Sequence, residues 1–178
     1  MSYFSRQMSK IMSKIVSNSD VHLDKVVRLY VSKVEKDFKI SLIDKNITYK
    51  KFLSNRMLIV HSIRKGLPYE LYDLIKERTP FKEEEWAKFL GVSTRTLHRN
   101  KLKKDFFFDA IPSEKILELA EVTALGREIF DDEEQFYLWL NTPSFALGNL
   151  KPLNLLTDSY GKEMVMTELH KIDQAIFH

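Results

Sequence analysis

The sequence predicts an all-α protein, and three observations carry that expectation. Apolar residues recur at three- and four-residue spacing along most of the chain. Capping and stop residues interrupt this rhythm at ordinary helix lengths. The centre of the chain has the small-residue and glycine spacing of two helices crossing at a tight turn. Composition agrees: 178 residues, 44% hydrophobic and 30% charged, are enough for one or two small cores and unlike a disordered or collagenous chain. With no cysteine there is no disulfide framework, thiolate metal site or cysteine nucleophile, and the expected compartment is the reducing cytoplasm.

Residues 20–37 place Val27, Tyr30, Val31 and Val34 on one stripe, with Ser19 or Asp20 as N-cap and a lysine-rich opposite face. Residues 38–43 alternate, 44–46 read as a turn, and 47–49 alternate again, the pattern of a small hairpin. From Tyr49 to Lys65, Phe52, Leu53, Met57, Val60 and Ile63 return to helical spacing, with Gly66 as the stop. A helix over 69–78 buries Leu71, Leu74 and Ile75. Thr79-Pro80 then reads as an N-cap and first helical position for the next helix, 81–90. Nothing suggests a membrane span, since the longest uncharged apolar run, 57–63, falls far short of ~20 residues. The first 16 residues lack an apolar signal core and cleavage site, so no secretion signal is expected.

Charge is graded along the chain. Residues 1–60 carry 12 Lys/Arg against 5 Asp/Glu, 61–120 carry 12 against 10, and 121–178 carry 4 against 10. A basic front and an acidic back suggest that one end meets an anion such as nucleic-acid phosphate, while solvated helix faces give the same gradient.

The stretch F-K-E-E-E-W-A-K-F-L-G-V-S-T-R-T-L-H-R over 81–99 is the most informative. Ala87 permits close helix approach, Gly91 suits a left-handed turn, and Leu97 supplies the apolar knob of the second helix. Ser93 caps that second helix, and Thr94, Arg95, His98 and Arg99 fall on its outward side, where a recognition helix presents donors to bases and phosphates. Lys101, Lys103 and Lys104 follow as phosphate candidates; Phe106, Phe107 and Phe108 suit either core packing or base stacking. A plain helical hairpin would show the same spacing.

Around this centre, three further phrases, I-R-K-G-L-P at 63–68, I-P-S-E-K-I-L-E-L-A-E-V at 111–122 and F-Y-L-W-L-N-T-P-S-F-A-L-G-N-L-K-P-L-N-L-L-T-D-S-Y-G at 136–161, make the chain from Ile63 onwards resemble the Xre/MbcA/ParS antitoxins of bacterial toxin-antitoxin systems. The last phrase is similar to the family's toxin-binding signature, and Val165, Leu169 and Ile172 look like its final helix. The chain departs from the pattern at Asn149, where a second glycine is usual, at Asn154, where aspartate is, and at Glu118, where arginine is common. The resemblance implies an antitoxin that silences a RES-domain toxin, a family associated with NAD breakdown, and represses its own operon as a homodimer on operator DNA. It implies a helix-turn-helix region followed by a small helical toxin-binding domain, and the sequence divides as an N-terminal basic extension (1–55), a helix-turn-helix domain (56–122) and a C-terminal domain (123–178). DNA contacts are expected from Ser93, Thr94, Arg95, His98, Arg99, Lys101 and Lys103.

Toxin contacts are expected from the turn-rich apolar segment holding Pro143, Leu147, Gly148, Pro152, Leu153 and Leu156, and from Ile176, Phe177 and His178, which the family carries toward the toxin's active-site cleft. Leu153, Leu155 and Leu156 also suit a core. Gly148 allows a left-handed turn, and Gly161 opens a last helix over 162–175. Asp131, Asp132, Glu133 and Glu134 suit either a basic partner or a helix N-terminus, while Trp86 and Trp139 read as core anchors. No phosphate loop, nucleophile elbow or H-E-x-x-H is present, and His22, His61, His98, His170 and His178 are scattered. We therefore expect no enzyme activity, no cofactor and no metal. A stand-alone regulator without a toxin, or an adaptor that no longer binds DNA, are the rival readings.

Overall fold

The computed structural model describes residues 3–41 and 46–177, with the side chains of 20–41 and 46–176. The described residues form α-helices joined by turns, with no strand among them. They divide into two compact units, Met1–Ser62 and Ile63–His178.

In the first unit, α1 (Tyr3–Phe38) is one 36-residue helix. It runs straight through Ser19 and Asp20, so the cap expected there does not form. Its C-terminal half buries Leu23, Val26, Val27, Tyr30, Val31 and Val34 at helical spacing, Ile47, Phe52, Leu53 and Leu58 are buried in the same unit, and the Tyr30 and Phe52 rings meet edge-on at 6.4 Å. The Tyr30 hydroxyl donates to the Ser62 carbonyl at 3.1 Å, which satisfies a polar tip in an apolar site, and burial pushes its pKa up.

The described residues of the expected hairpin, 38–41 and 46–49, contain no strand. Tyr49 begins α2 (Tyr49–Ser54), with Thr48 as N-cap, and Asp24 of α1 accepts the Tyr49 N–H at 2.7 Å. Residues 42–45, the end of the first expected strand and most of the turn, lie outside the described residues. The single helix expected from Tyr49 to Lys65 is broken at Asn55. This residue leaves helical geometry, and its side chain accepts the N–H of Leu58 at 3.1 Å, starting α3 (Arg56–Lys65). An asparagine able to cap outweighs the continuous apolar rhythm around it.

Within the second unit, α3 stops at Gly66, with φ +86°. A side-chain carbon there would lie 2.3 Å from the Phe108 carbonyl oxygen. That close approach belongs to a tie that closes the central helices. Phe108 N–H donates to the Leu67 carbonyl at 2.8 Å, and Tyr69 N–H to the Phe106 carbonyl at 3.0 Å. The buried Ser113 hydroxyl accepts from Leu67 N–H at 2.9 Å and donates to the Phe108 carbonyl at 3.2 Å. Gly66→Ala is accordingly expected to lose about 2–5 kcal/mol in urea unfolding, from left-handed strain plus overpacking. Gly91→Ala, whose added carbon meets nothing within 4 Å, is expected to lose only the strain, about 1–2 kcal/mol.

Within the tie lie α4 (Tyr69–Lys76), α5 (Glu83–Phe89) and α6 (Thr94–Lys101). Thr79 and Pro80 do not open α5 as the sequence suggested. Thr79 instead donates to the Lys76 carbonyl at 2.8 Å and accepts the Trp86 indole N–H at 3.0 Å, pinning the largest core side chain. The start of α5 is held by Glu85, whose Oε2 accepts the Lys82 N–H at 2.7 Å.

Beyond the tie, α7 (Ala110–Ile129) packs against α4, α8 (Glu133–Asn141) and α10 (Ser159–Phe177). Its buried residues Ile116, Leu117, Leu119, Ala120, Val122 and Thr123 lie on more than one side, as a helix enclosed by neighbours requires. Asp132 caps α8 by accepting the Gln135 N–H at 2.7 Å, so at least this acid of the 131–134 run serves a helix terminus. Pro152 opens α9 (Pro152–Leu155) at its first position. The last helix starts at Ser159, earlier than expected, and Gly161 lies inside its first turn. Its role is close packing, since a side-chain carbon there would sit 2.0 Å from the Leu155 carbonyl oxygen.

Candidate nucleic-acid interface and partner face

The turn between α5 and α6 is a Schellman closure. Val92 N–H donates to the Ala87 carbonyl at 2.9 Å and Gly91 N–H to the Lys88 carbonyl at 3.1 Å, with Gly91 at φ +65°. Ala87 and Leu97 are both buried at the helix crossing, and Ser93 caps α6 by accepting the Thr96 N–H at 3.1 Å. This arrangement aims α6 outward.

Ser93, Arg95, His98 and Arg99 are exposed and Thr94 is half-buried, whereas Leu97 and Asn100 face the interior. Arg95 and Arg99 have no ion pair among the described residues, which leaves two fixed positive charges on the outer side. His98 and Lys101 differ. His98 Nε2 lies 3.0 Å from Glu83 Oε1, and Lys101 Nζ lies 2.9 Å from Asp73 Oδ2. The hydrogen bond and charge of Asp73 raise the pKa of the Lys101 ammonium. Lys103, also exposed, sits over the Phe106 ring at 5.3 Å. Phe108 is core, and Phe106 packs edge-on against it at 5.1 Å. Phe107 is exposed, with Lys65 at 6.0 Å from its ring.

The second region named from sequence is folded around a short loop. Ser144 N–H donates to the Leu150 carbonyl at 3.1 Å and Asn149 N–H to the Ser144 carbonyl at 2.9 Å, around a 3-10 turn, Phe145–Leu147. Gly148 at φ +67° and Asn149 at φ +60° both take left-handed geometry. Asparagine is among the few residues other than glycine that enter this region readily, which accounts for Asn149 standing where the resemblance places a glycine. Leu147, Pro152 and Leu156 are buried in the chain's own core, Leu153 is half-buried, and Pro143 and Gly148 are exposed. Ile176 is exposed near the end of α10, and the side chain of Phe177 and all of His178 lie outside the described residues.

Burial of these leucines leaves other apolar side chains of the C-terminal region in solvent. Phe145 is 89% exposed and Tyr160 86%, accompanied by Leu150 and Met164. A shallow groove of about 400 Å³ runs between Ala146, Tyr160, Met164 and Thr167, with Glu163, Glu168 and Lys171 at its edge. None of these side chains was singled out from sequence. Their signal was available only as large apolar residues between turn residues, a pattern shared with core segments.

Among the described residues, no group of three or more His, Cys, Asp and Glu side chains is placed to hold a metal ion. None of the helices searched is long and apolar enough to cross a membrane. Residues 59–121 match the family model of the antitoxin Xre-like helix-turn-helix domain, and residues 125–174 match that of the antitoxin Xre/MbcA/ParS C-terminal toxin-binding domain. Together the matches take in more than half of the chain. No curated protein matches it.

Proposed function

The chain belongs to the Xre-type antitoxins, toxin-binding proteins with a helix-turn-helix, and from that premise we propose that it neutralises a RES-domain toxin and represses its own operon. The reading rests on one observation above the others: a helix-turn-helix match over 59–121 is followed directly by a toxin-binding match over 125–174. DNA contact is assigned to α6 through Ser93, Thr94, Arg95, His98 and Arg99, with Lys103 toward phosphate; Lys101, expected there from sequence, is engaged by Asp73 at 2.9 Å in the free chain. The toxin is assigned to the region after residue 123. Exposed Pro143, Gly148 and Ile176 contribute there, and Leu147, Pro152, Leu153 and Leu156 shape the surface from beneath. Phe177 and His178, which follow exposed Ile176 in the sequence, serve as a plug for the toxin's cleft.

The chain works as a cytoplasmic homodimer, in which two α6 helices meet two half-sites of an operator. It acts by contact, without catalysis or cofactor. The basic 1–55 segment supplies dimer or DNA contacts. The test is expression of the neighbouring open reading frame with and without this chain, recording growth and cellular NAD. The expected result is arrest with NAD loss when the neighbour is expressed alone and recovery of both on co-expression. A harmless neighbour, or one this chain does not counter, would leave a stand-alone regulator as the better account.

A further inference from the structure

We propose that Asp73 is a built-in counter-ion of the α6 helix, occupying Lys101 in place of a DNA phosphate and thereby holding down affinity for unrelated DNA. The inference rests on the DNA-binding reading of α6 and adds to it a residue on another helix. Two of the outward cations, Arg95 and Arg99, have no ion pair among the described residues, while Lys101 is bound. Its partner is well placed to compete. The Asp73 side chain is 24% exposed against 54% for Lys101, so the carboxylate is the fixed station and the lysine the movable arm. At 2.9 Å the contact is a charge-assisted hydrogen bond, the same interaction a phosphate oxygen would make with that ammonium.

Two further carboxylates strengthen the effect. Glu83, at the start of α5, takes His98 at 3.0 Å, and exposed Glu84 lies beside it in sequence. A phosphate approaching this edge must displace one carboxylate and tolerate its neighbours. Phosphate contacts are blind to sequence, whereas arginines that reach base edges are not. Withholding Lys101 therefore weakens binding to unrelated duplexes more than binding to the operator. Lys76, 3.8 Å from the other Asp73 oxygen, partly balances the same carboxylate without reaching α6.

The experiment uses the full chain and two duplexes of equal length, the region upstream of its gene and an unrelated sequence, titrated across a salt series. Asp73→Asn is expected to tighten the unrelated duplex about 3- to 10-fold and to steepen the log–log salt slope by about 0.9, the increment of one added phosphate contact. Lys101→Met should change binding of the otherwise unaltered chain by less than about 2-fold and should erase the gain in the Asp73→Asn background, a coupling the double-mutant cycle reads directly. The single lysine variant keeps the test valid should Asp73→Asn unfold. An unchanged slope in folded Asp73→Asn overturns the proposal. So does a Lys101→Met variant that weakens binding as much with Asp73 present as without it. Arg95→Ala/Arg99→Ala separates the two levels. If it also leaves binding unchanged, α6 does not meet DNA and both readings fall; if it abolishes binding while the Asp73 cycle shows no coupling, only the counter-ion role falls.

Discussion

Replacing Arg95 and Arg99 together by alanine is expected to weaken operator binding by at least about 30-fold while leaving the fold intact. Each guanidinium is exposed on the outer side of α6, held there by the Ser93 cap and the Gly91 turn, and neither is engaged in an ion pair among the described residues. A well-formed arginine contact to a base edge is worth about 1–3 kcal/mol, so two lost contacts remove about 2–6 kcal/mol of binding. Where either arginine meets phosphate instead, the salt slope becomes shallower by about 0.9 for each. Both side chains stand outside the core, so the denaturation midpoint should correspond to a change within about 0.5 kcal/mol. Operator titration across a salt series, beside urea unfolding, checks all three. A double variant that binds with unchanged affinity and slope would sink the assignment of α6.

What could be read from sequence follows the range over which the responsible forces act. The helix-turn-helix was legible because its determinants lie within a dozen residues. Ala87, Gly91, Ser93 and Leu97 each answer a local demand, respectively close approach, positive φ, a free N–H and a crossing knob. Gly66 and Gly148 were legible for the same reason, as helix stop and left-handed turn. Local competition between two valid signals was harder. Asn55 could sit in a helix or cap one, and the residues before Leu23 could cap or continue α1. In each case the apolar rhythm alone did not decide. The alternation at 47–49 was too short to outweigh Thr48 as a cap.

Tertiary quantities were not legible. The Lys101–Asp73 pair joins residues 28 apart in sequence, and the bridge from Tyr137 hydroxyl to Glu85 Oε1, 3.0 Å, joins residues 52 apart. No periodicity announces such a meeting. The same limit governed the C-terminal surface, where the sequence marked leucines and prolines but could not tell which of them the chain itself would bury. Leu147 and Leu156 were buried, and Phe145, only two residues from Leu147, was left in water. A difference of that kind is set by one turn of 3-10 geometry and by what packs over it.

That difference yields the second large effect. Phe145→Ala combined with Tyr160→Ala is expected to weaken toxin binding by roughly 100-fold or more, with operator binding and unfolding free energy nearly unchanged. Aromatic side chains at an interface centre typically contribute about 2 kcal/mol or more when truncated. At 89% and 86% exposure in the free chain these two have little packing to lose. Leu156→Ala makes the contrasting case. Leu156 is fully buried, so its truncation should lower stability by about 2–5 kcal/mol and weaken toxin binding only through loss of folded protein. Toxin affinity by calorimetry, beside urea unfolding of the same variants, resolves the two. Affinity lost in the aromatic pair with stability kept places the toxin against Phe145 and Tyr160. Full affinity in that pair would move the contact elsewhere on the C-terminal region, leaving the exposed end of α10 at Ile176 as the next surface to map.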